Sequence, residues 1–148
     1  MLPLESAPQI LTPFDELSVS FENPATDAMG YNAVQGKLYC GVDQVQIQFK
    51  QKDRAFRKGE TTTVDFDYGE VETTELISRW LRPKILVFAT RSPEKLDEFP
   101  GAKVGRVEFR ILPESIANAK KVEGLIDFKQ SEAFLAETES RIGRDTST

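Results

Sequence analysis

Five cations crowd into nine residues at KQKDRAFRK, 50–58: Lys50, Lys52, Arg54, Arg57 and Lys58 stand against Asp53 alone, a local charge of +4. Phe56 sits among them as an apolar anchor. Such a segment attracts anions, and a membrane surface with anionic lipid draws it in by about 1 kcal/mol per cation. The same composition also serves as a solvated loop whose charges keep neighbouring strand ends from pairing. A second cationic stretch, RWLRPK at 79–84, sets Arg79, Arg82 and Lys84 around Trp80 and Leu81. Trp beside Arg is a common composition of interface anchors. The plainer expectation is a connection between two strands, with Pro83 presetting its backbone and Trp80 folded back to plug one end of the fold. The two stretches form one basic rim if the fold brings them to the same end.

The acidic residues Glu60, Asp65, Asp67, Glu70, Glu72 and Glu75 follow closely. Paired carboxylates do acid–base work or hold hard cations. Asp65 and Asp67 share one face of a strand, but no glycine-spaced loop gives a calcium-site rhythm. The expectation is a wet strand face, with no metal site. FPGAKVG at 99–105 has too few glycines for a phosphate cradle and precedes a strand rather than a helix, so it reads as a turn with Gly101 at positive φ.

Catalytic chemistry finds little to use. The chain has no histidine and one cysteine, Cys40, which excludes an internal disulfide, a Cys/His zinc site within one chain, and Ser-His-Asp or Cys-His catalysis. Cys40 reads as a small buried strand residue. No catalytic residue and no cofactor is expected. The net charge of −5 argues against general nucleic-acid binding. The first residues, MLPLESAPQILTPF, lack the basic and apolar segments of a secretory signal, and no run approaches the roughly 20 apolar residues that span a bilayer. The expected location is cytoplasmic.

The elements that must position these residues are mostly strands. The chain has 148 residues, 39% hydrophobic and 29% charged, suited to one globular domain. Residues 1–30 read as an arm with three early prolines, a short strand through Leu17, Val19 and Phe21, and a loop at 22–30. Val34, Leu38 and Cys40 mark a strand, with Gly36 as a bend or bulge. DQVQIQFK (43–50) alternates apolar Val45, Ile47 and Phe49 with glutamines, a half-buried strand. TTTVDFDY (61–68) alternates again. VETTELISRW (71–80) alternates less cleanly, PKILVFAT (83–90) is apolar on both faces, and VGRVEFRIL (104–112) turns Val107, Phe109 and Ile111 inward. In SPEKLDEF (92–99), Ser92 caps one helical turn and Leu96 and Phe99 tuck inward.

Beyond Pro113 the period changes. Ile116, Ala119, Val122, Leu125 and Ile126 recur at spacings of three and four, which predicts a helix at about 114–127. Gly124 within it costs roughly 1 kcal/mol or marks close packing on a sheet. A second helix is expected after it, with Ser131 as N-cap and Ala133, Phe134 and Leu135 as apolar residues, then a frayed tail from Arg141. The whole reads as a mainly β protein: a curled antiparallel sheet or barrel of six or seven strands, capped by a C-terminal helix.

GKLY (36–39), VDFDYGEVE (64–72), WLRPKILVF (80–88), FPGAKVGRVEFRI (99–111) and a terminal helix rich in Ala and Val, in that order, resemble the pleckstrin-homology-like superfold, in particular its small bacterial members. The resemblance covers roughly residues 31–127 and sets the domain at 31–128, with a helix or tail at 129–148. It implies two nearly orthogonal antiparallel sheets, a capping helix and a binding role toward anionic lipid, peptides or other domains. The turn CGVD (40–43) has no cation where lipid-binding members usually carry them; the basic loop falls later, at 50–60. The expected function is therefore a non-catalytic interaction module. It would act on a partner protein or on itself, through a strand edge or the groove beside the helix. The alternative is peripheral binding to anionic membrane through 50–58, and an enzyme based on carboxylates is the least supported.

Overall fold

The computed structural model describes residues 17–24, 33–51 and 61–146, with side chains described as far as residue 139. Seven strands form two antiparallel sheets, followed by one long helix. The first sheet has the order β1–β2–β3–β4, with β1 Leu17–Asn23, β2 Val34–Cys40, β3 Gln44–Gln51 and β4 Thr62–Asp67. The second has the order β5–β6–β7, with β5 Val71–Ile77, β6 Ile85–Thr90 and β7 Arg106–Arg110. Every neighbouring pair is also consecutive in sequence, so local hydrophobic alternation is enough to specify each hairpin. The sheets meet where Phe21 of β1 bridges Ile111, just past β7. Ladders among the described residues do not close into a barrel.

The inward faces are those the alternation predicts. Leu17, Val19 and Phe21 of β1, Val45, Ile47 and Phe49 of β3, and Val107 and Phe109 of β7 with Ile111 are all buried. Cys40 is buried as well. At the centre the rings of Phe21 and Phe109 lie 4.4 Å apart, and those of Phe49 and Phe99 4.7 Å. Aromatic pairs at such spacings add to plain area burial. Leu96 and Phe99, from the β6–β7 connection, are buried as expected. Both faces of β6 are covered, since Leu86, Val87 and Phe88 are all buried. The imperfect alternation of β5 has a local cause: its register against β6 shifts between Val71 and Thr73.

Four expectations are corrected. Gly36 is not a bulge, because β2 runs in unbroken register against both neighbours. Its lack of a side chain lets β3 close in: a Cβ there would overlap the Gln48 carbonyl oxygen and lie 2.8 Å from Phe49 Cα. The two helices are one, α1, Ile116–Thr146, preceded by a 3-10 turn at Pro113–Ser115. Ser131 is therefore an interior residue rather than a cap, and the helix continues past Arg141. Gly124 packs on nothing, because a Cβ there would meet open space. Ser92 precedes the 3-10 turn Pro93–Leu96 but makes no capping bond; its hydroxyl donates to Glu70 instead, at 2.6 Å.

α1 is about 46 Å long at 1.5 Å per residue. Among the described residues its packing lies in the first half. Ala119, Val122 and Ile126 are buried against the sheets, and Ile116 and Leu125 pack at the margin of the core. Asn118 and Gln130 fasten it through side chains: Asn118 Nδ2 donates to Ser18 O at 3.0 Å, and Gln130 Nε2 donates to Tyr68 O and Val71 O, each at 2.8 Å. Residues 131–137 are all exposed.

Candidate functional site

Of the acidic run, Glu60 lies outside the described residues, and the structure disperses the rest, as the wet-face expectation requires. Asp65 and Asp67 of β4 both face solvent, and Asp65 accepts a hydrogen bond from Gln46 Nε2 on β3 at 2.8 Å. Glu70 has a structural task. It accepts bonds from Ser92 Oγ at 2.6 Å, the Asp67 backbone N–H at 2.9 Å and Lys95 Nζ at 3.0 Å. These donors, Ser92 first, hold its carboxyl down at about 2 against an ordinary 4.5. Among the described residues no cluster of acidic, cysteine or histidine side chains is arranged to hold a metal.

Of the first basic stretch, Lys50 lies within the described residues, exposed at the end of β3; Lys52, Arg54, Phe56, Arg57 and Lys58 lie outside them. The second stretch is fully described, and it overturns one expectation. Trp80 does not plug the fold: it is 89% exposed, and Leu81 beside it 83%. The reason lies in the turn. The Arg82 N–H donates to Arg79 O at 3.2 Å, which puts Trp80 and Leu81 at the apex, and Leu81 has a left-handed φ of 60°. The ends of the connection are tied down, with Lys84 Nζ donating to Ser78 Oγ at 3.0 Å and Lys84 O accepting from the Ile111 N–H at 2.9 Å.

Below this apex lies a recess of about 420 Å³, lined by Arg82, Lys84, Arg110, Pro24 and Ile116 among others. A second recess, of about 350 Å³, is lined by Lys37, Lys50, Tyr39 and Gln48. The two share Glu22 and Leu112. Lys50 therefore lies on the same continuous surface as Arg82 and Lys84, and Lys37 and Arg110 join them. Sequence reasoning missed Lys37 and Arg110. Both stand at polar positions of alternating strands, and their convergence depends on the β1-to-Ile111 bridge, for which no local spacing gives a signal.

A different surface forms where the second sheet meets the helix. β5 is the end strand of that sheet, and a groove of about 170 Å³ runs between it and α1. Val71, Glu72, Thr73 and Thr74 line it from the strand, and Glu123, Ile126, Asp127 and Gln130 from the helix. Among the described residues the lining holds three carboxylates and no cation. Farther along α1, Phe128, Phe134 and Leu135 are 58%, 68% and 59% exposed. Phe134 and Leu135, expected as apolar residues of a second helix, stand on the projecting half of a single one.

Compared with known proteins, the sequence matches no family model and no curated protein.

Proposed function

We propose that this chain is a non-catalytic interaction module of pleckstrin-homology-like architecture. It receives an extended, basic segment of a partner protein along β5, beside α1. Two antiparallel sheets followed by a C-terminal helix are compatible with that architecture. The observation that carries the reading is the groove itself: an end strand next to a helix, walled by Glu72, Glu123 and Asp127. An end strand offers backbone donors and acceptors to an incoming extended chain, and side-chain pockets beside it select the sequence. Three carboxylates without a cation select a basic segment and repel an acidic one. Gln130 already occupies Val71 O, so the incoming strand pairs beyond that point, along Thr73–Ile77.

The test is amide-shift mapping by NMR with two extended peptides that alternate β-branched residues with either lysine or glutamate. The lysine peptide is expected to shift amides within 71–77 and 123–130, and the glutamate peptide to leave them in place. In the triple variant Glu72→Lys, Glu123→Lys, Asp127→Lys the preference reverses. If neither peptide moves the amides of β5, strand addition at this groove is wrong.

A further inference from the structure

The apex of the β5–β6 connection is a convex apolar dipeptide surrounded by cations. Trp80 and Leu81 are almost wholly exposed, and the turn that presents them is fixed at both ends rather than free to fold back. Arg79, Arg82 and Lys84 flank the pair, and Arg110 lines the recess beneath. Among the described residues no carboxylate forms an ion pair with any of the four. Glu22 is the one acid among the described residues that line that recess.

We propose that Trp80 and Leu81 insert into the surface of an anionic membrane, with Arg79, Arg82, Lys84 and Arg110 engaging the phosphates around them. The apex is a projection, and a projection enters a soft surface without needing a matching pocket. Tryptophan favours the boundary between headgroups and acyl chains, where its ring is apolar on one side and its N–H is hydrated on the other. An apolar element a few ångströms deep beside a cluster of cations is the pairing by which peripheral proteins combine insertion with electrostatic attraction. The exposed Leu81, held in a backbone conformation that leucine rarely adopts, gains an apolar environment only when the apex is inserted. This surface is separate from the β5–α1 groove, so the inference does not rest on the peptide-binding reading and survives its failure.

Trp80 is the only tryptophan, so its own fluorescence reports insertion. The probes are phosphatidylcholine vesicles, the same vesicles carrying phosphatidylserine, and inorganic phosphate without lipid. The expected result is a blue shift with the anionic vesicles alone, diminished by salt, and quenching by lipids brominated near the headgroup end of the acyl chain. In sedimentation, Arg79→Glu, Arg82→Glu, Lys84→Glu together weaken binding by more than about 100-fold, at roughly fivefold per cation. Leu81→Ser weakens binding with the charge intact. Arg79, Leu81 and Arg82 are exposed and Lys84 is half-buried, so circular dichroism and Tm measured on each variant, and on Arg79→Glu, Arg82→Glu without the change at Lys84, separate lost binding from lost folding. The proposal is overturned by an unchanged spectrum, by an equal response to neutral vesicles, or by the same shift with phosphate alone, which would make this a phosphate site. It is also overturned if Arg54→Glu, Arg57→Glu, Lys58→Glu abolishes binding while the variants at the apex do not.

Discussion

Lys95 Nζ lies 2.9 Å from Glu70 Oε2, and this pair joins the two connections at one end of the second sheet. Glu70 closes the 3-10 turn Tyr68–Glu70 between β4 and β5; Lys95 sits in the turn Pro93–Leu96 between β6 and β7. The same ammonium donates to Asp65 O at 2.9 Å and stands 5.4 Å from the Phe66 ring centre. Around it, Thr90 Oγ1 donates to Glu70 O at 2.8 Å, and the Arg91 N–H donates to the same oxygen at 2.8 Å. The passage from the first sheet to the second is thus held by polar bonds where strand pairing stops.

That network predicts an acid-labile component of stability. The Glu70 carboxyl titrates at about 2 in the folded protein, against 4.5 ordinarily. A carboxylate with a depressed folded value contributes stability that is complete above its unfolded value and is lost as pH falls through the folded one. The contribution is therefore full above pH 4.5 and disappears between 4.5 and about 2. Glu70→Gln should lower Tm at pH 7 and flatten the decline of Tm with acid in that window. A variant as steep as the parent there would show that other carboxylates carry the acid response.

Gly36→Ala tests the close approach of β2 to β3. The added Cβ would overlap the Gln48 carbonyl oxygen, a backbone atom inside a paired strand that has no room to yield. The expected loss exceeds about 3 kcal/mol in urea unfolding, in the range reserved for overpacking and backbone displacement. Gly124→Ala, in open space on α1, should gain up to about 1 kcal/mol from helix propensity.

These two glycines also show what was legible in the sequence. The strands and their inward faces followed from alternation, because side-chain period settles the face, and Leu96 and Phe99 stood out as the apolar residues of an otherwise polar insertion. The role of Gly36 did not, since a bulge and a close approach place the same glycine in the same strand. Trp80 was misplaced because composition says that a lone tryptophan is usually packed, while the turn at Arg79–Arg82 holds it out. The unity of α1 was hidden by Ser131, whose side chain suits an N-cap as well as a solvent-facing position inside a helix. The shared surface of Lys37, Lys50, Arg82, Lys84 and Arg110 arises from contact between residues some 90 positions apart, such as Phe21 and Ile111.

The division of α1 into a packed and a projecting half gives a further prediction. Ile126 is 3% exposed, and Ile126→Ala should cost about 2–5 kcal/mol through lost burial and an unfilled cavity. Leu135 lies nine residues on and touches no core; Leu135→Ala should change stability by less than about 0.5 kcal/mol. Comparable losses at both sites, measured by urea unfolding, would mean that the distal half is packed in solution, with self-association then visible as a concentration-dependent Tm.

Gln130 decides where the packed half ends. Its Nε2 supplies both hydrogens of one amide to Tyr68 O and Val71 O, and so locks the helix onto the start of β5. Gln130→Met keeps the length and removes both donors, with an expected loss of about 1–3 kcal/mol from two under-satisfied carbonyls. Gln130→Glu is the sharper variant. At pH 7 its carboxylate would face two carbonyl oxygens with no proton to offer, so the loss should exceed that of Gln130→Met. Below the carboxyl's own pKa the acid regains one O–H donor, and the gap between the two variants should narrow. A gap that does not change with pH would mean that residue 130 swings away from the strand, and that the groove beside β5 is open from Val71 onward.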